Sequence, residues 1–191
     1  SDLVIATQGR AFWILDDLNL LRQYDSNNLT GKLYKTEKIL TPNWYSSMNS
    51  NSNTGIDFLQ GVNPASGVVF YYNLPKLKNS NEVKLTISNL NGKVVNTFSS
   101  ISDSLYLDYE GGPPKKNVLS SNKGINRFVW DLRHSMLKGI PEAYIEGSFR
   151  GHKAIPNNYK VTLSYLDKNY EITSQIVNNP MKSVSAKDYE L

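Results

Sequence analysis

The chain has 191 residues, no cysteine, 39% hydrophobic and 20% charged residues, and a formal net charge of +4. That length allows one sizeable core with an appendage, or two small units. The missing cysteine excludes disulfides and thiol chemistry, and no apolar run is long enough for a membrane-spanning helix. Residues 1–57 carry 5 Lys/Arg against 6 Asp/Glu, leaving 16 against 11 for the remainder. This modest basic excess lacks the dense stripe with interleaved aromatics that nucleic-acid binding needs.

Residues 3–6 and 11–15 are two apolar runs flanking Gln8-Gly9-Arg10, the pattern of a β-hairpin. Neither run alternates with polar residues, so both faces of the hairpin demand cover. Leu18, Leu21 and Tyr24 then fall at the spacing of a short amphipathic helix, with Asp16-Asp17 placed to favour its start. Residues 25–32 form a polar loop and 32–45 an extended connector ending in Trp44-Tyr45. Residues 46–55 are almost entirely Ser, Asn and Gly, too polar to pack.

From residue 58 the rhythm is that of strands and turns. Residues 67–74 contain Val68, Val69, Phe70, Tyr71 and Tyr72. Residues 82–89 alternate Val83, Leu85 and Ile87 inward with Lys84, Thr86 and Ser88 outward. Asn91-Gly92 is a strong hairpin signal, and 93–98 returns from it. Residues 102–123, with Gly111-Gly112-Pro113-Pro114, form a long excursion. In 125–133, Phe128, Trp130 and Leu132 share one face, and the bulk of Trp130 makes this strand the one its neighbours should cover. A second excursion spans 136–154. Residues 159–165 and 170–176 pair across 166–169, with Tyr159, Val161, Leu163 and Tyr165 on one face; residues 183–191 read as the beginning of a helix. About seven strands with long loops predict an all-β fold, an immunoglobulin-like Greek-key β-sandwich.

Chemistry-bearing residues are sparse. His134 and His152 fall in loops with no Cys or acidic cluster at ligand spacing, so no metal site is predicted. Asp16 and Asp17 are sequence neighbours that point to opposite sides, and Asp108 and Glu110 show no partner carboxylate, so no acid pair for glycoside hydrolysis is predicted. No phosphate-binding Gly loop or nucleophile elbow is present. No catalytic residue and no cofactor are therefore expected. Exposed aromatics in the connector and loops, namely Trp44, Tyr45, Tyr106, Tyr109, Tyr144 and Phe149, could stack on sugar rings. Of these, Trp44, Tyr45, Tyr109 and Tyr144 are the candidate ligand-binding set.

The string Ala6-Thr7-Gln8-Gly9-Arg10-Ala11-Phe12-Trp13-Ile14-Leu15-Asp16-Asp17 resembles the closing hairpin of sortilin-like, Asp-box (BNR) β-propeller proteins, often labelled glycosyl hydrolases. Gly61-Val62-Asn63-Pro64, Leu90-Asn91-Gly92-Lys93-Val94-Val95 and Asn126-Arg127-Phe128-Val129-Trp130-Asp131-Leu132-Arg133 fit the same template. Two positions depart from it: Gln8 stands where the family more often has His, and Pro156-Asn157-Asn158 where a Pro-Gly turn is usual. The resemblance implies residues 1–17 as a remnant of the last propeller blade and 18–57 as a linker. It implies an immunoglobulin-like sandwich over 58–180 and a truncated tail over 181–191. The implied role is a noncatalytic, C-terminal structural or interaction module of a larger secreted protein, outside the cytoplasm, whose propeller is its partner. An accessory carbohydrate-binding module of a glycoside hydrolase is the alternative, and a strand-mediated dimer of the chain is a further expectation.

Overall fold

The computed structural model describes residues 2–26, 30–41, 65–78, 81–181, 184 and 186–189. Gly61-Val62-Asn63-Pro64, the Ser/Asn-rich run and both Trp44 and Tyr45 lie outside the described residues. Within them the fold is all-β apart from helix α1 (Leu18–Gln23) and a single 3-10 turn at Ala186–Tyr189. No helix among the described residues is long and apolar enough to cross a membrane.

Among the described residues, strands β1 (Leu3–Ala6) and β2 (Phe12–Leu15) pair only with each other, Leu3 opposite Leu15 and Ala6 opposite Phe12. The remaining strands are β3 (Lys32–Leu33), β4 (Ile39–Leu40), β5 (Val68–Leu74), β6 (Val83–Asn89), β7 (Val94–Ser99), β8 (Gly124–Trp130), β9 (Asn157–Tyr165) and β10 (Lys168–Val177). One sheet has the order β3-β5-β8 and the other β4-β10-β9-β6-β7. All pairings are antiparallel except β4 with β10, where Ile39 faces Ile176. The connector therefore joins both sheets: Lys32–Leu33 extends the first and Ile39–Leu40 the second. Thr41 continues the second contact, its N–H donating to Val177 O at 2.9 Å.

Alternation explains which strands close the core. Val83, Leu85 and Ile87 of β6 and Tyr159, Val161, Leu163 and Tyr165 of β9 are all buried, as period two requires. From the other sheet Val68, Phe70, Tyr72, Leu74, Phe128 and Trp130 meet them in one contiguous cluster. Trp130 is the largest fully buried side chain. Its ring meets Tyr159 edge to face at 5.6 Å, and its indole N–H donates to Arg133 O at 2.8 Å. A buried indole N–H left unpaired would cost about 1–3 kcal/mol, so this bond lets the bulk of Trp130 stay inside.

The same bond redirects the chain. β8 ends at Trp130, and Leu132 takes a left-handed conformation (φ 58°) that turns Arg133 back under the indole. Leu132 remains buried, as the alternation predicts, but it reaches the core from a turn and not from the strand. Two other turns differ from expectation. Between β6 and β7, Asn89 N–H donates to Lys93 O at 2.9 Å, and only Gly92 (φ 83°) is left-handed, so the loop has three residues where Asn91-Gly92 suggests two. The last hairpin turns at Leu166-Asp167 with Leu166 at φ 49°, and Asn169 already lies in β10. Asn157 and Asn158 are in β9, not in a turn, and neither has positive φ.

At the opposite end of β8 the buried Asn126 has all four of its amide valences filled. Its Oδ1 accepts from Ser120 Oγ (2.7 Å) and Asn122 N–H (3.1 Å), and its Nδ2 donates to Asn122 O (2.8 Å) and Gly124 O (2.9 Å). Tyr72 Oη donates to Ser120 O at 2.6 Å, and burial raises its phenol pKa further above the solution range. These contacts tie the end of the first excursion to the core before β8 begins.

Trp130→Ala removes the central ring and strands a large void between the sheets. The expected loss is about 3–5 kcal/mol, read from the urea denaturation midpoint. An unchanged midpoint contradicts the central placement of this side chain.

Candidate interaction surface

Every strand residue of the β1–β2 hairpin is exposed, including Phe12 at 74% and Trp13 at 63%. Its loop is closed by Thr7, whose N–H and hydroxyl both donate to Ala11 O at 3.1 and 2.9 Å. The apolar runs thus form the predicted hairpin, but among the described residues neither face receives the cover that its composition demands.

What joins the hairpin to the sheets is polar. Asp17 N–H donates to Asp2 Oδ1 at 3.2 Å, which closes the hairpin's open end. Asp17 occupies the position before α1 yet makes no side-chain cap; its backbone is left-handed (φ 58°) and its carboxylate is turned away. Of the helix or blade capping expected of Asp16-Asp17, the side-chain cap on the helix is not made by Asp17. Its Oδ2 accepts a short hydrogen bond from Tyr71 Oη on β5, where Arg127 stands opposite Tyr71 in register. Burial and the Asp17 contact raise the Tyr71 phenol pKa, while Arg127 opposes them.

Helix α1 buries no side chain and is held in the same way. Asn19 Nδ2 and Gln23 Nε2 donate to Lys35 O at 2.7 and 2.9 Å, and Lys35 N–H returns a bond to Gln23 Oε1 at 2.9 Å. Lys32 Nζ donates to Gln23 O at 2.6 Å and lies 4.9 Å from the centroid of the Tyr34 ring. A cleft of about 190 Å³ lies between α1, connector residues 34–39 and β5, lined by Asp17, Asn19, Tyr34, Lys35, Lys38 and Tyr71. That is below the roughly 300–1,000 Å³ of a ligand pocket. The hairpin is thus aimed by a hydrogen-bonded joint and not by a shared core.

The candidate sugar-stacking residues separate. Tyr109 is half-buried, its ring against Gly112 and its hydroxyl against Gly139, and its Oη donates to Ile140 O at 2.8 Å. A Cβ at Gly112 would collide with that ring, and one at Gly139 with the Tyr109 hydroxyl and Pro113, so Tyr109 serves to clasp the two excursions together. Tyr144 is 65% exposed and lies over Gly111, while Ile145 N–H donates to Gly111 O at 3.3 Å. Tyr106 is half-buried with its Oη near Pro113 O and Asp108 Oδ1, and Phe149 is buried, contrary to its expected exposure. Its backbone carbonyl is drawn in by Leu137 N–H at 2.8 Å. Trp44 and Tyr45 lie outside the described residues. Of the four candidates, Tyr144 alone is a described aromatic with an open face.

The two histidines come together although 18 positions separate them. Their rings stack at 3.7 Å with planes 23° apart, and His134 N–H donates to His152 O at 2.9 Å. Among the described residues no three His, Asp or Glu side chains gather where they could hold a metal ion. Nothing in the spacing of His134 and His152 signals their meeting, because an irregular ladder between the two ends of the second excursion creates it.

Comparison with family models, with curated proteins and with solved structures finds no match for this chain.

Proposed function

We propose that this chain is a noncatalytic structural module: an immunoglobulin-like sandwich that holds a larger β-propeller against itself through the β1–β2 hairpin. The observation that carries the reading is the hairpin, exposed along all its strand residues and apolar on both faces. Burying each of Phe12, Trp13 and Ile14 is worth roughly 1.5–3 kcal/mol, and a lone hairpin is at best marginal in water. A propeller blade supplies both a strand edge and covering layers, which is what this element lacks. The resemblance of residues 6–17 to a closing propeller hairpin points the same way, and such a module belongs outside the cytoplasm.

The immunoglobulin-like assignment rests on strand order. The order β3-β5-β8 beside β4-β10-β9-β6-β7 corresponds to sheets A-B-E and A′-G-F-C-C′, with the first strand switching sheets midway. Tyr159, near the start of β9, donates from Oη to Ile155 O four residues upstream at 2.7 Å, the form of a tyrosine corner. A carbohydrate-binding role is the second reading, and the exposure of Tyr144 favours it.

Two experiments separate these readings. Deleting residues 2–16 is expected to leave the cooperative unfolding of the sheets intact and to lower self-association in sedimentation velocity. Unfolding of the sheets on deletion would place the hairpin in the same cooperative unit and overturn the docking role. For the second reading, a glycan array should give hits that Tyr144→Ala removes; an array without hits leaves the structural role alone.

A further inference from the structure

The residues that follow β8 form a short ladder with those that precede β9. Ala154 N–H donates to Leu132 O at 2.7 Å, His134 N–H to His152 O at 2.9 Å, and Leu137 N–H to Phe149 O at 2.8 Å. Arg133 bridges Lys153 through the backbone, and its Nη1 donates to Gly151 O at 2.9 Å. Gly151 lacks the side chain that would strike His134 O, which permits the close approach. On the other side, Ser135 N–H donates to Val95 O at 3.0 Å and Asn96 Nδ2 to Arg133 O at 3.0 Å. This ladder closes the base of the second excursion, and the stacked His134 and His152 rings sit at its middle rung.

We propose that the His134–His152 stack is a proton-operated latch, closed while both rings are neutral and released when both are protonated, freeing the 136–149 excursion. Two neutral imidazoles at 3.7 Å attract through their faces; two imidazoliums at that distance repel. The charged groups around the pair favour release on protonation. Lys93, at the β6–β7 turn, acts on His134 as a second positive charge. The ladder itself brings Arg133 and Lys153, while the β7 side contributes the neutral Val95, Asn96 and Ser135 contacts. The nearby carboxylate of Asp131 lies 3.8 Å from Arg133 Nε and is directed to it.

The sign follows from linkage. Burial first, then His152 and Lys93, hold the His134 imidazole below the ordinary histidine range while the latch is closed. The open form therefore binds protons more readily, and the closed form is favoured above the ordinary histidine pKa of about 6.5. Its advantage declines as pH falls through that value towards the depressed pKa of the closed state. Release would also loosen the Tyr109–Ile140 and Ile145–Gly111 bonds that fasten the first excursion to the second.

The test is hydrogen exchange of the whole chain at about pH 7.5 and about pH 5, with rates corrected for intrinsic pH dependence. The amides of His134, Leu137 and Ala154 are expected to lose severalfold in protection at the lower pH, because the open form binds protons more readily than the closed one. Those of Val161 and Leu163 should hold theirs, which also reports that the core is folded. His134→Gln and His152→Gln should each cut the loss at least by half. Equal protection at both pH values overturns the latch, as does a loss of undiminished size in both variants.

Discussion

Burial of Trp130 at the meeting of the two sheets sets much of what surrounds it. An indole inside an apolar core must still satisfy one N–H, and it finds its main-chain acceptor three residues on, at Arg133 O. To bring that carbonyl back, the chain takes Leu132 into a left-handed conformation and stops β8 at Trp130. From this turn the second excursion leaves, crosses the edge of β7 through Ser135 and returns through Ala154 to start β9. Tyr159 on β9 then packs edge-on against the same indole. One buried side chain thus couples core packing, a strand end and the position of a long loop.

The elements most legible in the sequence are those whose burial follows from alternation alone. β6, β8 and β9 present Val83-Leu85-Ile87, Phe128-Trp130 and Tyr159-Val161-Leu163-Tyr165 inward, and each pattern can be read without knowing its neighbours. The two-residue strands β3 and β4 are too short to carry a period; only their partners β5 and β10 define them. The role of Asp17 is hidden because its acceptor is used by Tyr71, 54 positions away, in preference to the helix it precedes. The same holds for the fully satisfied Asn126 and for the His134–His152 stack. Propensity describes neighbours along the chain, whereas these arrangements depend on where loops meet.

The candidate interaction surface divides along the same line. The uncovered apolar character of the hairpin is plain in residues 3–6 and 11–15, since it needs no tertiary information. Its attachment through Asp17, Tyr71 and the Gln23–Lys35 exchange is not. Likewise the aromatic residues of the excursions look alike in sequence. Packing separates them: Tyr109 is spent on clasping two loops, Phe149 is drawn inside, and Tyr144 keeps an open face. The core is closed without the hairpin, which leaves the hairpin free to serve another sheet, the role proposed for it.

The most direct measure of that role is hydroxyl-radical footprinting of Phe12 and Trp13 in the protein as isolated from its native cells. Both should be shielded there nearly as well as Trp130, and both should be labelled strongly in this chain alone at high dilution. Strong labelling of Phe12 and Trp13 in the native assembly, comparable to that of the exposed Leu105, would contradict that role.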